Sequence, residues 1–101
     1  MNAVDLLSQP RYYQGPWYRA KHDMVYGNRK GDRLFYVEGG CESGGQDEHG
    51  VTWYRISCSY WFSDWIEQNC DTEQWRAHGE RHRAIYIVRE DLMTFIRLKW
   101  L

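Results

Sequence analysis

Hydrophobic and polar residues change their period at Ser59, within the stretch "WYRISCSYWFSDWIEQN". Before Ser59 the two kinds alternate, which predicts a strand from Val51 to Ser57. Trp53 and Tyr54 must then point to opposite faces, so we expect one of them at the surface. After Ser59, a suitable N-cap, apolar residues recur every three to four positions and predict a helix. We expect its core face to hold Trp61, Phe62, Trp65, Ile66 and Asn69, and its solvent face Ser63, Asp64, Glu67 and Gln68.

Three more segments have the pattern of strands. Trp17 to Tyr26 and Arg33 to Glu38 flank "GNRKGD", whose glycines and asparagine suit a turn. The apolar run Ala84 to Val88 predicts a buried strand, and the glycine-rich stretch 39–50 predicts either a mobile loop or a wide hairpin connection.

Three further segments have the pattern of helices. Ala3 to Gln9 is a short candidate before Pro10. "DTEQWRAHG", with Asp71 as cap and Gly79 as stop, is a second. The last segment suits a helix from Asp91, and its end also has the alternation of a strand.

Together these elements predict one α+β domain over residues 1–101. We expect an antiparallel sheet of about four strands, with two or three short helices packed on one face. Six Trp and eight Tyr supply the apolar surface that the scarce aliphatic residues do not, so the core should be aromatic.

Net charge and cysteine content narrow the class of protein. A formal charge of −1 gives no overall attraction to nucleic acid or an anionic membrane. Three cysteines without framework spacing argue against a disulfide scaffold. No stretch has the pattern of a signal peptide or membrane span, so a cytoplasmic location is expected.

The sequence contains the cysteine and histidine residues that a zinc site requires, but their spacing does not suit one. Cys58 and Cys70 precede the pair His78 and His82, but the cysteines are too far apart for a zinc knuckle and Gly79 interrupts the pair. We expect no metal and no cofactor.

Catalytic chemistry has one candidate, the segment "HGERHR". His78 and His82 beside arginines could act as acid and base on an RNA phosphodiester. A solvated turn at a helix C-terminus explains the same residues, and the acidic pI of about 6.4 does not favour RNA. We therefore predict that the protein is not an enzyme.

The stretch "RYYQGPWYRAK" has the composition of a binding surface. Aromatic and Arg side chains are enriched at protein-binding hot spots, and the same mixture stacks on unpaired bases. Its rings could instead complete the core. The predicted partner-binding residues are Arg11, Tyr12, Tyr13, Trp17, Tyr18, Arg19 and Lys21.

These features favour a small non-enzymatic binding protein that docks on a larger protein partner. A regulator or inhibitor encoded by a phage or mobile element would suit a compact chain without motifs. The second hypothesis is a nucleic-acid-binding module using Tyr12 to Lys21 and the turn from Arg76 to Arg83. A small ribonuclease centred on His78 and His82 is the third.

Overall fold

The computed structural model of the chain describes residues 15–23, 27–38, 45–77 and 85–101. Within these ranges the chain forms six strands and two helices. The strands are β1 (Tyr18–Arg19), β2 (Arg33–Val37), β3 (Gly45–Gln46), β4 (Thr52–Cys58), β5 (Trp75–Ala77) and β6 (Ile85–Arg89). The helices are α1 (Tyr60–Asn69) and α2 (Glu90–Trp100). The predicted antiparallel sheet and α+β organisation are observed, but the described sheet has six strands rather than about four.

The sheet has β4 near its centre and β1 and β5 at its edges. Its order is β1-β2-β4-β6-β5, with β3 also paired to β4, and every pairing is antiparallel. The longest pairing joins β4 to β6, with Ile56 opposite Tyr86. Strand β1 ends at Arg19, well before the predicted end at Tyr26, and in the connection that leads to β2 Gly27 and Gly31 have φ values of 74° and 92° that disfavour other residues.

Both helices cover one face of this sheet. The ring of Phe62 in α1 stacks on Phe35 in β2, with centroids 5.9 Å apart. Tyr86 in β6 donates its hydroxyl proton to Glu67 of α1 at 2.9 Å. The shared core is aromatic, as predicted, and its largest fully buried side chains include Trp100, Phe35 and Phe62. Leu92, Met93 and Ile96 bring α2 into the same core.

The opposite face of the sheet is also screened from solvent. Trp53 is buried there beside Ile87, and its indole N–H donates to Asp47 at 2.9 Å. Tyr54, on the helix-covered face, is half-buried. The expectation that one ring of the Trp53–Tyr54 pair lies at the surface is therefore met only in part, by Tyr54, because both faces of β4 bury side chains.

The segment 71–77 is a turn and an edge strand, which corrects the predicted helix from Asp71 to Gly79. The carboxylate of Asp71 does accept the N–H of Glu73, but only a turn follows. The backbone then joins β6, with Trp75 opposite Val88. A helix this short is marginal in isolation, so pairing with a buried strand outweighs its local signals.

Both longer predicted helices are present. The helix from Asp91 is confirmed as α2, which begins one residue earlier, and the alternative strand at its end is not formed. In α1, Phe62, Trp65 and Ile66 are buried as expected, whereas Asn69 is exposed rather than on the core face. Ser63 is buried rather than exposed and donates its hydroxyl proton to the carbonyl of Tyr60. Ser59 occupies the N-cap without a side-chain capping bond. In the described part of the chain, no helix is long and apolar enough to cross a bilayer.

Candidate functional site

The β1 edge of the sheet carries the four predicted binding residues, of seven, that lie in the described ranges. The antiparallel register places Arg19 of β1 opposite Arg33 of β2, and both side chains are exposed. Trp17 lies just before β1 and Lys21 just after it. We call Trp17, Arg19, Lys21 and Arg33 the β1-edge surface.

Trp17 is held between the sheet and an exposed arginine. Its ring meets Tyr36 of β2 edge to face, with centroids 4.9 Å apart and an interplanar angle of 84°. The guanidinium carbon of Arg33 lies 5.3 Å from the Trp17 ring centroid, within cation–π range. Trp17 is therefore half-buried and fixed on one side by the sheet.

The other residues of this segment have distinct environments. Tyr18 stacks on the core residue Phe35 at 5.0 Å, so its ring contributes to the core. Arg19 is exposed and donates from Nη1 to the carbonyl of Gly31 at 2.9 Å, which orients its guanidinium along the turn. The backbone N–H of Lys21 donates to the carbonyl of Trp100, which anchors the end of this segment on α2.

Positive charge is concentrated around this edge. The five exposed cations of the described ranges 15–23 and 27–38 are Arg19, Lys21, Arg29, Lys30 and Arg33. Asp23 and Asp32 lie among them and accept backbone N–H groups from Lys30 and Arg29, at 2.6 and 2.7 Å. These carboxylates shape the turn, and over residues 15–23 and 27–33 five cations against two acids leave a surplus of three positive charges.

Some of the predicted residues fall outside the described ranges. Arg11, Tyr12 and Tyr13 belong to the predicted binding stretch, and His78 and His82 to the predicted ribonuclease and zinc alternatives. Where the structure is described, no three His, Cys, Asp or Glu side chains gather as a metal site would require.

Cys58 and Cys70 have the environments of unreactive thiols. Burial raises the pKa of Cys58 well above its usual value, and the negative charge of Glu38 adds to the effect. Partial burial raises the pKa of Cys70 to about 11. Both groups are therefore protonated at neutral pH, the form that neither attacks electrophiles nor binds metal.

We expect iodoacetamide at pH 8 to alkylate Cys70 in the folded protein at least about tenfold more slowly than a free thiol, and Cys58 more slowly still. The physical reason is the small thiolate fraction together with restricted access. Peptide mapping by mass spectrometry measures each rate, and the same reaction in guanidinium chloride is the control. Equal rates in the folded and unfolded states would contradict these environments.

The other polar clusters in the described ranges stabilise local structure. Asp47 accepts the indole N–H of Trp53 and the backbone N–H of His49 and Val51, which close the β3–β4 turn. These bonds, that of Trp53 first, lower the pKa of Asp47. At the start of α2, Asp91 accepts two hydrogen bonds from Arg89 at 2.9 Å and lies where it complements the helix dipole.

Arg33 is the member of this surface that sequence reasoning missed. It was expected in a strand, with no role at the site. The predicted turn "GNRKGD" would pair residue 33 with residue 26, whereas the observed register places it opposite residue 19, so the sequence held no local signal for Arg33.

The β1-edge surface thus combines one fixed indole, two register-paired arginines and a local excess of positive charge.

No model of a known protein family matches the chain, and no curated protein or solved structure is significantly similar to it.

Proposed function

We propose that the protein is a small non-enzymatic binding protein that docks on a larger protein partner through the β1-edge surface. The observation that carries the proposal is the Trp17 ring, supported by Tyr36 on one side and by the Arg33 guanidinium 5.3 Å from its centroid. A ring already held in place loses little conformational entropy on binding, which is why Trp and Arg dominate hot spots.

The charge of this edge indicates the chemistry of the partner. Arg19 and Arg33 are exposed side by side, and arginine binds carboxylates through two parallel hydrogen bonds. A protein surface with acidic residues around an apolar recess would complement them. Regulation or inhibition of that partner, in a phage or another mobile element, is the activity we propose for such a compact chain.

Substitutions at the β1-edge surface should weaken partner binding without unfolding the protein. The partner is first isolated from nuclease-treated host lysate by cross-linking to the full chain, and its affinity is then measured by calorimetry. We expect Trp17→Ala and Arg19→Ala each to cost at least about 2 kcal/mol, or roughly thirtyfold in Kd, the threshold of a hot spot. The melting temperature of Arg19→Ala should match that of the wild type, because exposed arginines contribute little to stability.

Arg76→Ala is the matched control. Arg76 is an exposed arginine on β5, the opposite edge of the same sheet, and its guanidinium lies over Trp53. Partner affinity should not change in this variant. A stable Arg19→Ala protein that binds with wild-type affinity, together with a destabilised Trp17→Ala protein, would refute the proposed surface.

The cationic turn between β1 and β2 makes nucleic acid the competing partner. That alternative uses Arg76 as well as Arg19, so both variants would lose affinity for single-stranded RNA or duplex DNA. It also predicts a steep fall in affinity with salt, in proportion to the number of phosphates neutralised. Tight, salt-sensitive nucleic-acid binding that is weakened by both substitutions would replace the protein-docking proposal.

A further inference from the structure

The outer edge of β1 carries main-chain groups that point away from the sheet. Just after β1, the N–H of Ala20 donates to the carbonyl of Asp32 at 2.9 Å, and the carbonyl of Ala20 accepts the N–H of Gly31 at 2.8 Å. The peptide groups of Ala20 therefore face the strand that follows. Successive residues of an extended strand direct these groups to opposite sides, so the N–H and C=O of Arg19 face outward.

The outward N–H and C=O of Arg19 have no hydrogen-bond partner in the described ranges. β1 is the last strand on this side of the sheet, and no described segment pairs with its outer edge. The next outward-facing residue, Lys21, already donates its N–H to the carbonyl of Trp100 at 3.0 Å. The edge is thus closed at Lys21 and open at Arg19, and an open edge is a template for pairing with another chain.

The side chains beside this open position lie on one face of the strand. Tyr18 stacks on the core residue Phe35, so its ring points towards the helices. Trp17 and Arg19 flank it and, by the alternation of an extended chain, share the opposite face. A strand paired with Arg19 would therefore place alternate side chains against the Trp17 ring and the Arg19 guanidinium.

The charge of the edge selects an acidic strand. Arg19 donates to the neutral carbonyl of Gly31 and Arg33 lies over Trp17, and neither forms an ion pair with a described carboxylate. Opposite charges on paired strands are stabilising, and like charges directly opposite each other are destabilising. A second copy of β1 would bring arginine beside arginine at the one open position. Glutamate or aspartate side chains in the added strand would instead bind both guanidinium groups.

We propose that the β1 edge binds its protein partner by strand addition. An extended acidic segment of the partner pairs with β1, exchanges main-chain hydrogen bonds with Arg19, and places carboxylates on Arg19 and Arg33. This inference rests on the proposed function, because it names the part of the partner that the β1-edge surface recognises. The pairing is short, since Lys21 is already bonded to α2, so an isolated segment binds weakly.

A blocked peptide of alternating glutamate and valine, about eight residues long so that it spans the edge, is the probe. NMR titration of the isotope-labelled full chain should show saturable binding. At about nine-tenths saturation, exchange of the Arg19 amide with water should slow roughly tenfold, because only the unbound fraction exchanges. The Lys21 amide, bonded to Trp100 in both states, is the internal reference and should exchange unchanged. The matched peptide of alternating lysine and valine should not bind.

Substitutions at Arg19 separate strand addition from docking by side chains alone. Arg19→Ala removes the guanidinium and keeps the main-chain N–H, whereas Arg19→Pro removes both. Proline is tolerated on an edge strand whose N–H faces outward, so both variants should melt close to the wild type. The Kd for the glutamate–valine peptide should rise in Arg19→Ala, and by at least about fivefold more in Arg19→Pro. The amide-exchange test uses the wild-type chain and decides the question even if Arg19→Pro does not fold.

Strand addition alone would be overturned if Arg19→Ala and Arg19→Pro bound equally, if the acidic peptide did not bind, or if saturating peptide left the Arg19 amide unprotected. In each case, a partner isolated from lysate that still binds Arg19→Ala more weakly than the wild type would leave the proposed function standing. Wild-type partner affinity in a stable Arg19→Ala protein would overturn both. An oligothymidylate that binds more tightly than the acidic peptide would assign the edge to nucleic acid and overturn the proposal.

Discussion

Replacing Trp65 with alanine should lower the free energy of unfolding by about 3–5 kcal/mol, the usual cost of deleting a large buried ring. Trp65 is 4% exposed and lies at the centre of the aromatic core between the two helices. Its ring stacks on Phe62 at 5.4 Å and meets Trp100 edge to face at 5.3 Å. The surrounding rings are too rigid to fill the space that the indole leaves. Chemical denaturation, followed by circular dichroism, measures the change.

Tyr60→Ala is the control for the Trp65 substitution. Both replace an aromatic residue of α1 by alanine, so their effects on helix propensity are similar, but Tyr60 is 70% exposed. We expect Tyr60→Ala to cost less than about 1 kcal/mol. Equal destabilisation by the two variants, or a wild-type denaturation midpoint for Trp65→Ala, would contradict the packing of α1 on the sheet.

The second large effect is expected at the buried ion pair of Arg55 and Glu38, on the sheet face that the helices do not cover. The Nε atom of Arg55 lies 2.9 Å from Oε2 of Glu38, and the two side chains are 10% and 1% exposed. Removing one charge of a buried pair leaves the other desolvated, so Arg55→Ala should cost about 3–5 kcal/mol.

A more exposed pair, where β6 leads into α2, provides the comparison. Arg89 Nε also lies 2.9 Å from a carboxylate oxygen, of Asp91, but these side chains are 31% and 51% exposed. Arg89→Ala should therefore cost about 1 kcal/mol or less, because water replaces the lost partner. Similar losses at Arg55 and Arg89 would show that the buried pair is not desolvated.

A double substitution separates the loss of a pair from the loss of one partner. Arg55→Met combined with Glu38→Leu removes both charges while keeping most of the side-chain volume. We expect it to be more stable than Arg55→Ala, since no uncompensated charge remains in the sheet. A double variant as unstable as the single one would mean that packing, rather than charge, determines the cost. Urea denaturation of the three proteins measures this difference.

Period and capping signals predicted the parts of the fold that local interactions dominate. The change of period at Ser59 placed the boundary between β4 and α1, and Asp91 marked the beginning of α2 within one residue. Both helices have an apolar stripe that can be buried only by packing on the sheet, so their sequence pattern and their tertiary environment agree.

The prediction failed where partners distant in sequence decided the outcome. The caps around Asp71 favour a helix, but Trp75 pairs with Val88 and the segment becomes a strand. Alternation in β4 identified two faces correctly and could not show that both would be buried. Trp53 is buried on the sheet face that the helices do not cover, and Arg55 on the same face is paired with Glu38.

The sequence by itself determined the aromatic core, the strand-to-helix change at Ser59, the helix at the end of the chain and the composition of the Trp17–Lys21 segment. Only the tertiary structure decided that Arg33 joins Trp17 and Arg19 at one edge, and that Leu98 is left outside the core. The physical reason is that period and caps are properties of neighbouring residues. Strand register and burial depend instead on residues brought together from distant positions, whose pairing no local pattern specifies.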